Sequence, residues 1–447
     1  MNERIKNLIA SSVVEDESTG DYKVSRQAFT DEDVFDLEMK HIFEGNWIYA
    51  AHESQLPKNN SYYTLFAGRR SVLLTRDNNG ELHAFLNACS HRGATLCRDK
   101  KGSRPTFVCP FHGWSFKTDG KLIKPAKPEG AGYPETFNCK GQHDLKEIKR
   151  LEVYKGFIFI SLNDDVVTLD EYLGGAKTFI DLLADQSPNG LEVVKGSSTY
   201  TFDGNWKLQA ENGADGYHID TVHWNYVATN TRRKGAGISQ SGDEAMDVGG
   251  LTNKGGFYAF DHGHVMLWGE WPNPKTRPNY VELENYEKLH GKERAHWMVC
   301  RSRNLCLYPN LFLMDQTSTQ IRVFRPLSVN KTEVTIYCFA PVGESDKERS
   351  HRIRQYEDFF NATGLATPDD LAEFNASQIG FSSSGSEWND ISRGATHWVH
   401  GADEDAKKLG ISPLMSGVKM EDEGLYLTQH QYWMNYLLAS CEKELDS

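Results

Sequence analysis

The 447-residue chain has no run of about eighteen apolar residues, so nothing in it predicts a membrane-spanning helix. Its opening residues, Met1-Asn2-Glu3-Arg4-Ile5-Lys6, lack the apolar stretch of a secretory leader, and none is expected. Positive charge is in deficit: 49 Lys and Arg stand against 62 Asp and Glu, a net charge of −13 with His neutral. An acidic surface repels phosphate backbones and anionic lipid, which argues against nucleic-acid and membrane partners. It does not argue against a small acidic ligand, because one well-placed Arg overrides the distant field. Internal repeats and low-complexity tracts are also missing. Cysteine is scarce, 8 residues, and no two stand at the Cys-x(2–4)-Cys spacing common in structural zinc sites. Most lie scattered in apolar or mixed contexts, such as Cys306 within Asn304–Tyr308, as buried free thiols do in a reducing cytoplasm. What the chain does have is length enough for two or three domains and an ordinary globular composition, 25% charged and 39% hydrophobic.

Two short stretches concentrate metal-binding side chains. Cys89-Ser90-His91 is followed, after seventeen residues, by Cys109-Pro110-Phe111-His112. A Rieske [2Fe–2S] cluster has two Cys on one iron and two His on the other, so two loops giving one of each satisfy it. Exchanging two thiolates for neutral imidazoles removes negative charge. The reduction potential rises to roughly −150 to +300 mV, against about −400 mV for plant-type ferredoxins. The spacing predicts a protein that moves single electrons, with Cys89, His91, Cys109 and His112 as cluster ligands. Cys97 has no His partner at ligand spacing and is expected to be no ligand.

Residues 1–44 read as an N-terminal segment with a helix over Asp31–Phe43, acids crowding its first turn. Residues 45–163 read as short strands and turns, a small antiparallel β domain holding both Cys/His pairs. Asp77-Asn78-Asn79-Gly80 and Thr118-Asp119-Gly120 are hairpin signals there. From 164 to 447 the pattern is mixed. Strands are expected at 197–203, 257–260, 306–314, 319–327 and 332–340, and helices after Thr168, at 345–361 and at 368–377. Residues 230–256, rich in Gly, Ser, Asn and charge, read as a long loop.

The mixed region holds a second concentration of ligand-type residues, Glu211-Asn212-Gly213-Ala214-Asp215-Gly216-Tyr217-His218-Ile219-Asp220-Thr221-Val222-His223. Asp215 and His218, three apart, share a helix face. His218 and His223 stand about 140° apart on an ideal helix. Both face one metal only if the helix is distorted, which predicts a π-bulge. Two His and one carboxylate form the facial triad of non-haem Fe(II) oxygen activation, with positions left for O2 and substrate. The plain alternative is two half-buried His on an amphipathic helix. The carboxylate has two candidates. Asp215 is nearest; Asp370 lies in Thr367-Pro368-Asp369-Asp370-Leu371, which also reads as a helix start with Thr capping, Pro first and acids in the first turn. Spacing and capping alone prefer Asp215.

A Rieske pair followed by Asp-x-x-His-x(4)-His resembles the large (α) subunits of ring-hydroxylating Rieske oxygenases, over nearly the whole chain. The narrower likeness is to the benzoate 1,2-dioxygenase group with its toluate, halobenzoate and anthranilate relatives. It is carried by Cys89–Ala94, Cys109–Trp114, Gly204–Leu208, Ala210–His218, Arg303–Asn310 and Arg354–Phe360. The resemblance implies an α+β architecture: a small antiparallel β Rieske domain and a helix-grip-like catalytic domain, an antiparallel sheet with covering helices. It moves the third ligand to Asp370, beside His218 and His223. Asp215 then becomes the catalytic bridge, hydrogen-bonded to His218 of its own chain and to the cluster ligand His112 of a neighbouring subunit, which couples the two metal sites. The implied partners are a small β subunit, in an α3β3 assembly, and an NADH-dependent flavin and iron–sulfur reductase. The implied reaction adds both atoms of O2 cis across an aromatic bond of a small acid.

For the substrate, the resemblance points to Asn304, with Met314, Thr317 and the strand His264–Leu267 as further pocket candidates. Arg301, Arg303, Arg322 and Arg325 lie on or near the right strands to meet a carboxylate, and the sequence does not choose among them. Anthranilate, a halobenzoate or another aromatic acid would be processed by the same chemistry. Two readings from other classes are a zinc-stabilised ligand-binding protein, which would be colourless, and an electron carrier with a degenerate second site, which would lack the third iron.

Overall fold

The computed structural model describes residues 3–237, 254–316, 319–383 and 385–445. The chain divides into two units, Ile42–Leu169 and Met1–His41 with Asp170–Ser447. The sequence divisions at 44/45 and 163/164 lie a few residues from these breaks.

The Ile42–Leu169 unit is all antiparallel β. Its central sheet orders Leu82–Leu86, Arg70–Arg76, Ser61–Ala67 and Lys101–Ser103; Ile48–His52, Phe157–Ser161 and Arg150–Tyr154 form a second sheet, and Thr106–Val108, Ser115–Lys117 and Leu122–Lys124 a third. Val72-Leu73-Leu74 is a continuous apolar run because both faces of its sheet are covered. Val72 and Leu74 join Tyr63, Ile158 and Ile160 in one core, while Leu73 joins Tyr62, Phe85, Phe107 and Phe116 in another. Cys89, Cys109 and Trp114 belong to that second core. Both expected hairpin turns form: Asp77 Oδ1 accepts from the N–H of Asn79 and Glu81 at 2.8 and 2.9 Å, and Gly120 adopts φ +81°.

The other unit is built on a ten-stranded antiparallel sheet. Its order is Leu191–Val193, Lys331–Pro341, Thr319–Ser328, Leu311–Asp315, Arg301–Leu307, Val265–Glu270, Gly255–Ala259, Met415–Ser416 and Val399–His400, with Ser198–Phe202 also paired to Lys331–Pro341. The C-terminal helix Gly424–Leu445 packs against the strand Gly255–Ala259. The single strand expected at 306–314 is two, Arg301–Leu307 and Leu311–Asp315, folded back on each other through a turn at 308–310 so that Leu307 pairs with Leu311. The helices at 345–361 and 368–377 appear as Asp346–Asp358 and Thr367–Phe381. Of the long loop expected at 230–256, the start belongs to a helix, Trp224–Gly235, and the end to a strand; 238–253 lie outside the described residues.

The N-terminal helix starts where its acids suggest: Asp31 caps it by accepting from the N–H of Asp33 and Val34. After Leu37 it continues as a π-helical turn over Glu38–Phe43. Glu38 is fully buried. It accepts from the indole N–H of Trp206 at 2.8 Å and of Trp433 at 2.7 Å, and ion-pairs with the buried Lys207. Burial lowers the Lys207 pKa and the Glu38 charge opposes that. Removing one member of a buried pair strands the other. Glu38→Gln should therefore cost about 3 kcal/mol of stability in chemical denaturation, while a drop below about 0.5 kcal/mol would mean that the pair holds nothing together.

Candidate metal centres

In the β unit the two Cys/His stretches are the same loop built twice. Cys89 N–H donates to Ala94 O and Gly93 N–H to Cys89 O, both at 2.8 Å; Cys109 N–H donates to Trp114 O at 2.8 Å and Gly113 N–H to Cys109 O at 2.9 Å. Each loop closes on a glycine in the left-handed region, Gly93 at φ +73° and Gly113 at φ +71°, which a side chain there would strain. The thiols are buried, with Cys89 3% and Cys109 2% exposed, whereas His91 and His112 are only half-buried. The rings of His91 and His112 are 4.7 Å apart, and Trp114 stacks on His91 at 4.6 Å. Burial pushes the Cys89 thiol up, and the neighbouring Cys109 adds to it. Two close, buried sulfurs suit a cation, and coordination removes thiol protons outright. His91 Nδ1 is buried without a hydrogen-bond partner. Two sulfurs inside, two imidazoles towards the surface and an orphaned ring nitrogen fit a two-iron cluster. Cys97 has a structural job instead: its N–H donates to Asn87 Oδ1 at 2.8 Å within the same core.

The catalytic-type site is in the other unit. The expected π-bulge is absent. The chain breaks into separate pieces instead: Trp206–Asn212, a single turn Ile219–Val222, then Trp224–Gly235, with His218 and His223 flanking the single turn. Leaving the helix at both ends frees the two rings from the 140° constraint. Their Nε2 atoms converge to 3.2 Å. Asp370, in the first turn of Thr367–Phe381, brings Oδ1 to 3.5 Å from His218 Nε2 and 3.4 Å from His223 Nε2. An ion with bonds of about 2.1 Å at right angles spaces adjacent ligand atoms about 3 Å apart. The three atoms fit a single metal.

The residue-level preference for Asp215 as the ligand is therefore at odds with the geometry. Asp215 lies on the far side of His218, with Oδ2 3.1 Å from Nδ1, a close ion pair off-line for a hydrogen bond. The capping account of Thr367 also differs. Ala366 precedes the helix, and Thr367 Oγ1 donates to Phe360 O at 3.1 Å. Asp370 is buried rather than capping in solvent. Burial pushes it up to about 6, against the His218 and Arg322 charges, and burial drives His223 down to about 3. Burial also raises Asp215, but the His218 ring and backbone N–H groups outweigh it and hold Asp215 low. A bound dication reverses the cost at Asp370 and uses His223 in its neutral form. Sequence reasoning missed Asn212, since an Asn carries no ligand signal of its own. Its Nδ2 lies 3.4 Å from both Asp370 Oδ1 and His218 Nε2.

A cavity opens beside these three side chains, lined by Leu267, Asn304, Met314, Arg322, Phe359 and Phe360 among others. Asn304 and Met314, the two pocket residues expected, are opposite each other across neighbouring strands. Asn304 Nδ2 donates to Gly213 O at 3.0 Å. His264 does not reach the cavity lining. It is a core histidine that accepts from Tyr308 N–H at 3.0 Å and lies 2.9 Å from Tyr172 O, and Thr317 is outside the described residues. The aromatic pair Phe359 and Phe360 escapes a sequence reading as pocket lining because an aromatic at a helix end reads as plain core.

Residues 46–141 match the Rieske [2Fe-2S] domain family, and residues 191–437 match the family described as ring hydroxylating alpha subunit (catalytic domain). The chain is 55% identical to toluate 1,2-dioxygenase subunit alpha of Pseudomonas putida, over 98% of this chain and 96% of the relative. It is 52% identical to the 2-halobenzoate 1,2-dioxygenase large subunit of Burkholderia cepacia, over 98% and 94%. The anthranilate 1,2-dioxygenase large subunit of Acinetobacter baylyi is 47% identical over 95% and 91%. Among solved structures, naphthalene 1,2-dioxygenase from Rhodococcus sp. bound to indole superposes with a TM-score of 0.81 at 24% identity, covering 98% of this chain and 99% of that one, which speaks to the fold. Among the described residues no helix is long and apolar enough to cross a membrane. The chain belongs to the ring-hydroxylating dioxygenase α-subunit family, a Rieske-type oxidoreductase that uses a [2Fe–2S] cluster and a mononuclear iron.

Proposed function

We propose that this chain is the large subunit of a dioxygenase that adds both atoms of O2 cis across the 1,2-bond of a benzoate-type aromatic acid, giving a 1,2-dihydro-1,2-diol carboxylate. The observation that carries this reading is the convergence of His218, His223 and Asp370 at the edge of a cavity walled by Leu267, Met314, Phe359 and Phe360. These three would hold the mononuclear iron, and Cys89, Cys109, His91 and His112 the cluster. When bound, the two centres supply oxygen activation and single electrons.

The rest falls to the protein. The apolar walls hold an aromatic ring and keep water out. Asn304, tied to Gly213 O, and Met314 shape the side of the cavity along the sheet. Asp215 fixes the ring of His218 from behind. Relatives named as subunit alpha and large subunit support a small β subunit as partner, in an α3β3 assembly, with NADH electrons delivered by a flavin and iron–sulfur reductase. The six cysteines besides the cluster pair, all unbridged, support a cytoplasmic setting.

With a cognate reductase and NADH, oxygen uptake should depend on an added aromatic monocarboxylate. A panel of benzoate, toluates, halobenzoates, anthranilate and terephthalate ranks the acids. Uptake with none of them, or equal uptake with benzene, rejects the assignment.

A further inference from the structure

The four arginines on or near the cavity strands differ in what holds them. Arg301 pairs with Glu270 and Asp405, each at 2.9 Å; Arg303 pairs with Asp315; Arg325 lies 3.5 Å from Glu333. Each of these charges is already answered. Arg322 is only 2% exposed, and among the described residues no carboxylate comes within ion-pair distance of it, although Asp370 feels its charge. Its Nε and Nη2 are buried with no hydrogen-bond partner. The guanidinium lies instead over the face of Phe360, 5.1 Å from its carbon to the ring centre.

Strand parity explains why this one points inward. Phe312 sits opposite Arg322, and Met314, opposite Asn304, lies two residues on from Phe312, so all four side chains share one sheet face. Arg303 and Asp315 alternate with them and occupy the other face. Arg322 lines the same cavity as His218 and His223, the two histidines that meet Asp370.

A buried guanidinium with empty donors is costly unless a ligand completes it. The charge sum agrees. A divalent ion, Asp370 and Asp215 cancel, which leaves Arg322 as one uncompensated positive charge. The geometry points to Arg322 as the anchor for the carboxylate of the aromatic acid, its Nε and Nη2 donors meeting the two oxygens side by side. The inference rests on the proposed aromatic-acid reading and sharpens it. Asn304 Nδ2 already donates one of its two N–H groups to Gly213 O, and its Oδ1, buried and without a partner, is an acceptor that does not bind a carboxylate oxygen, so Asn304 is the weaker anchor.

The test is equilibrium binding to the assembled holoenzyme of benzoate and of nitrobenzene, a neutral molecule of the same shape. Arg322→Gln should weaken benzoate by about 30-fold or more, roughly 2 kcal/mol, and change nitrobenzene by less than about threefold. Arg322→Lys should recover part of the loss. Arg322→Met, of similar length and no charge, gives the same readout if the Gln variant fails to fold. Iron is counted in the same samples. Benzoate binding retained in Arg322→Gln overturns the anchor. So does equal loss of both ligands, or loss of iron along with binding, since either gives Arg322 a structural role. If the wild type binds no aromatic acid, the anchor and the proposed function fall together. If only the variant result fails, the proposed function stands.

Discussion

Asp370→Ala should keep the red-brown cluster spectrum and lose the mononuclear iron, taking the protein from roughly three irons per chain to two and ending turnover. Asp370 supplies the one anionic ligand atom of the three that converge, and it is buried where no water-borne carboxylate replaces it. Two neutral imidazoles alone hold Fe(II) weakly. The loss would not come from a damaged fold. Burial pushes the Asp370 carboxyl up to about 6, from an ordinary value near 4. In the metal-free protein, ionising Asp370 therefore costs stability. That cost is absent below pH about 4, grows between 4 and 6, and is complete above 6. Metal-free Asp370→Asn should accordingly match or exceed the metal-free wild type in thermal stability at pH 7, and the difference should vanish near pH 4. Iron retained in Asp370→Ala would return Asp370 to a helix-start role and make Asp215 the ligand.

Asp215→Ala should do the opposite: retain both metals and lose turnover by about 100-fold or more. Partners that orient a metal-bound histidine typically cost about 10–100-fold when removed. The role proposed for Asp215 also reaches between subunits. Its carboxylate is anchored by Tyr217 N–H at 2.6 Å and faces His218 with one oxygen, and the side chain is still a quarter exposed. That open edge is where His112 of a neighbouring subunit would meet it. The distinguishing readout is single-turnover electron transfer from a pre-reduced cluster. It should slow in Asp215→Ala while cluster EPR and iron content stay unchanged. Normal NADH-coupled turnover would remove Asp215 from the electron path.

The cluster loops are legible in the sequence because each is local: the ligands, the closing glycines Gly93 and Gly113 and the stacking Trp114 all lie within a few residues. His218 and His223 are legible as a pair, but not the way the chain brings them together. A five-residue spacing suggests a bulged helix, and the structure uses a broken one. Asp370 is illegible on spacing alone, since it sits far along the chain in a stretch that also satisfies every helix-start rule; only family resemblance singles it out. The choice among the four arginines depends on strand register and on which carboxylates lie across the sheet, and neither is written in local sequence. Glu38 shows the same limit. Nothing near it in sequence announces that Trp206, Lys207 and Trp433 converge on one carboxylate.

The most direct test of the central claim is the fate of labelled oxygen. Benzoate, 18O2, NADH and the reductase with the wild-type enzyme should give one dihydrodiol carboxylate carrying both labelled atoms, with benzoate, O2 and NADH consumed in about equal amounts. A product with one labelled atom, or NADH and O2 consumed with benzoate unchanged, would contradict the account.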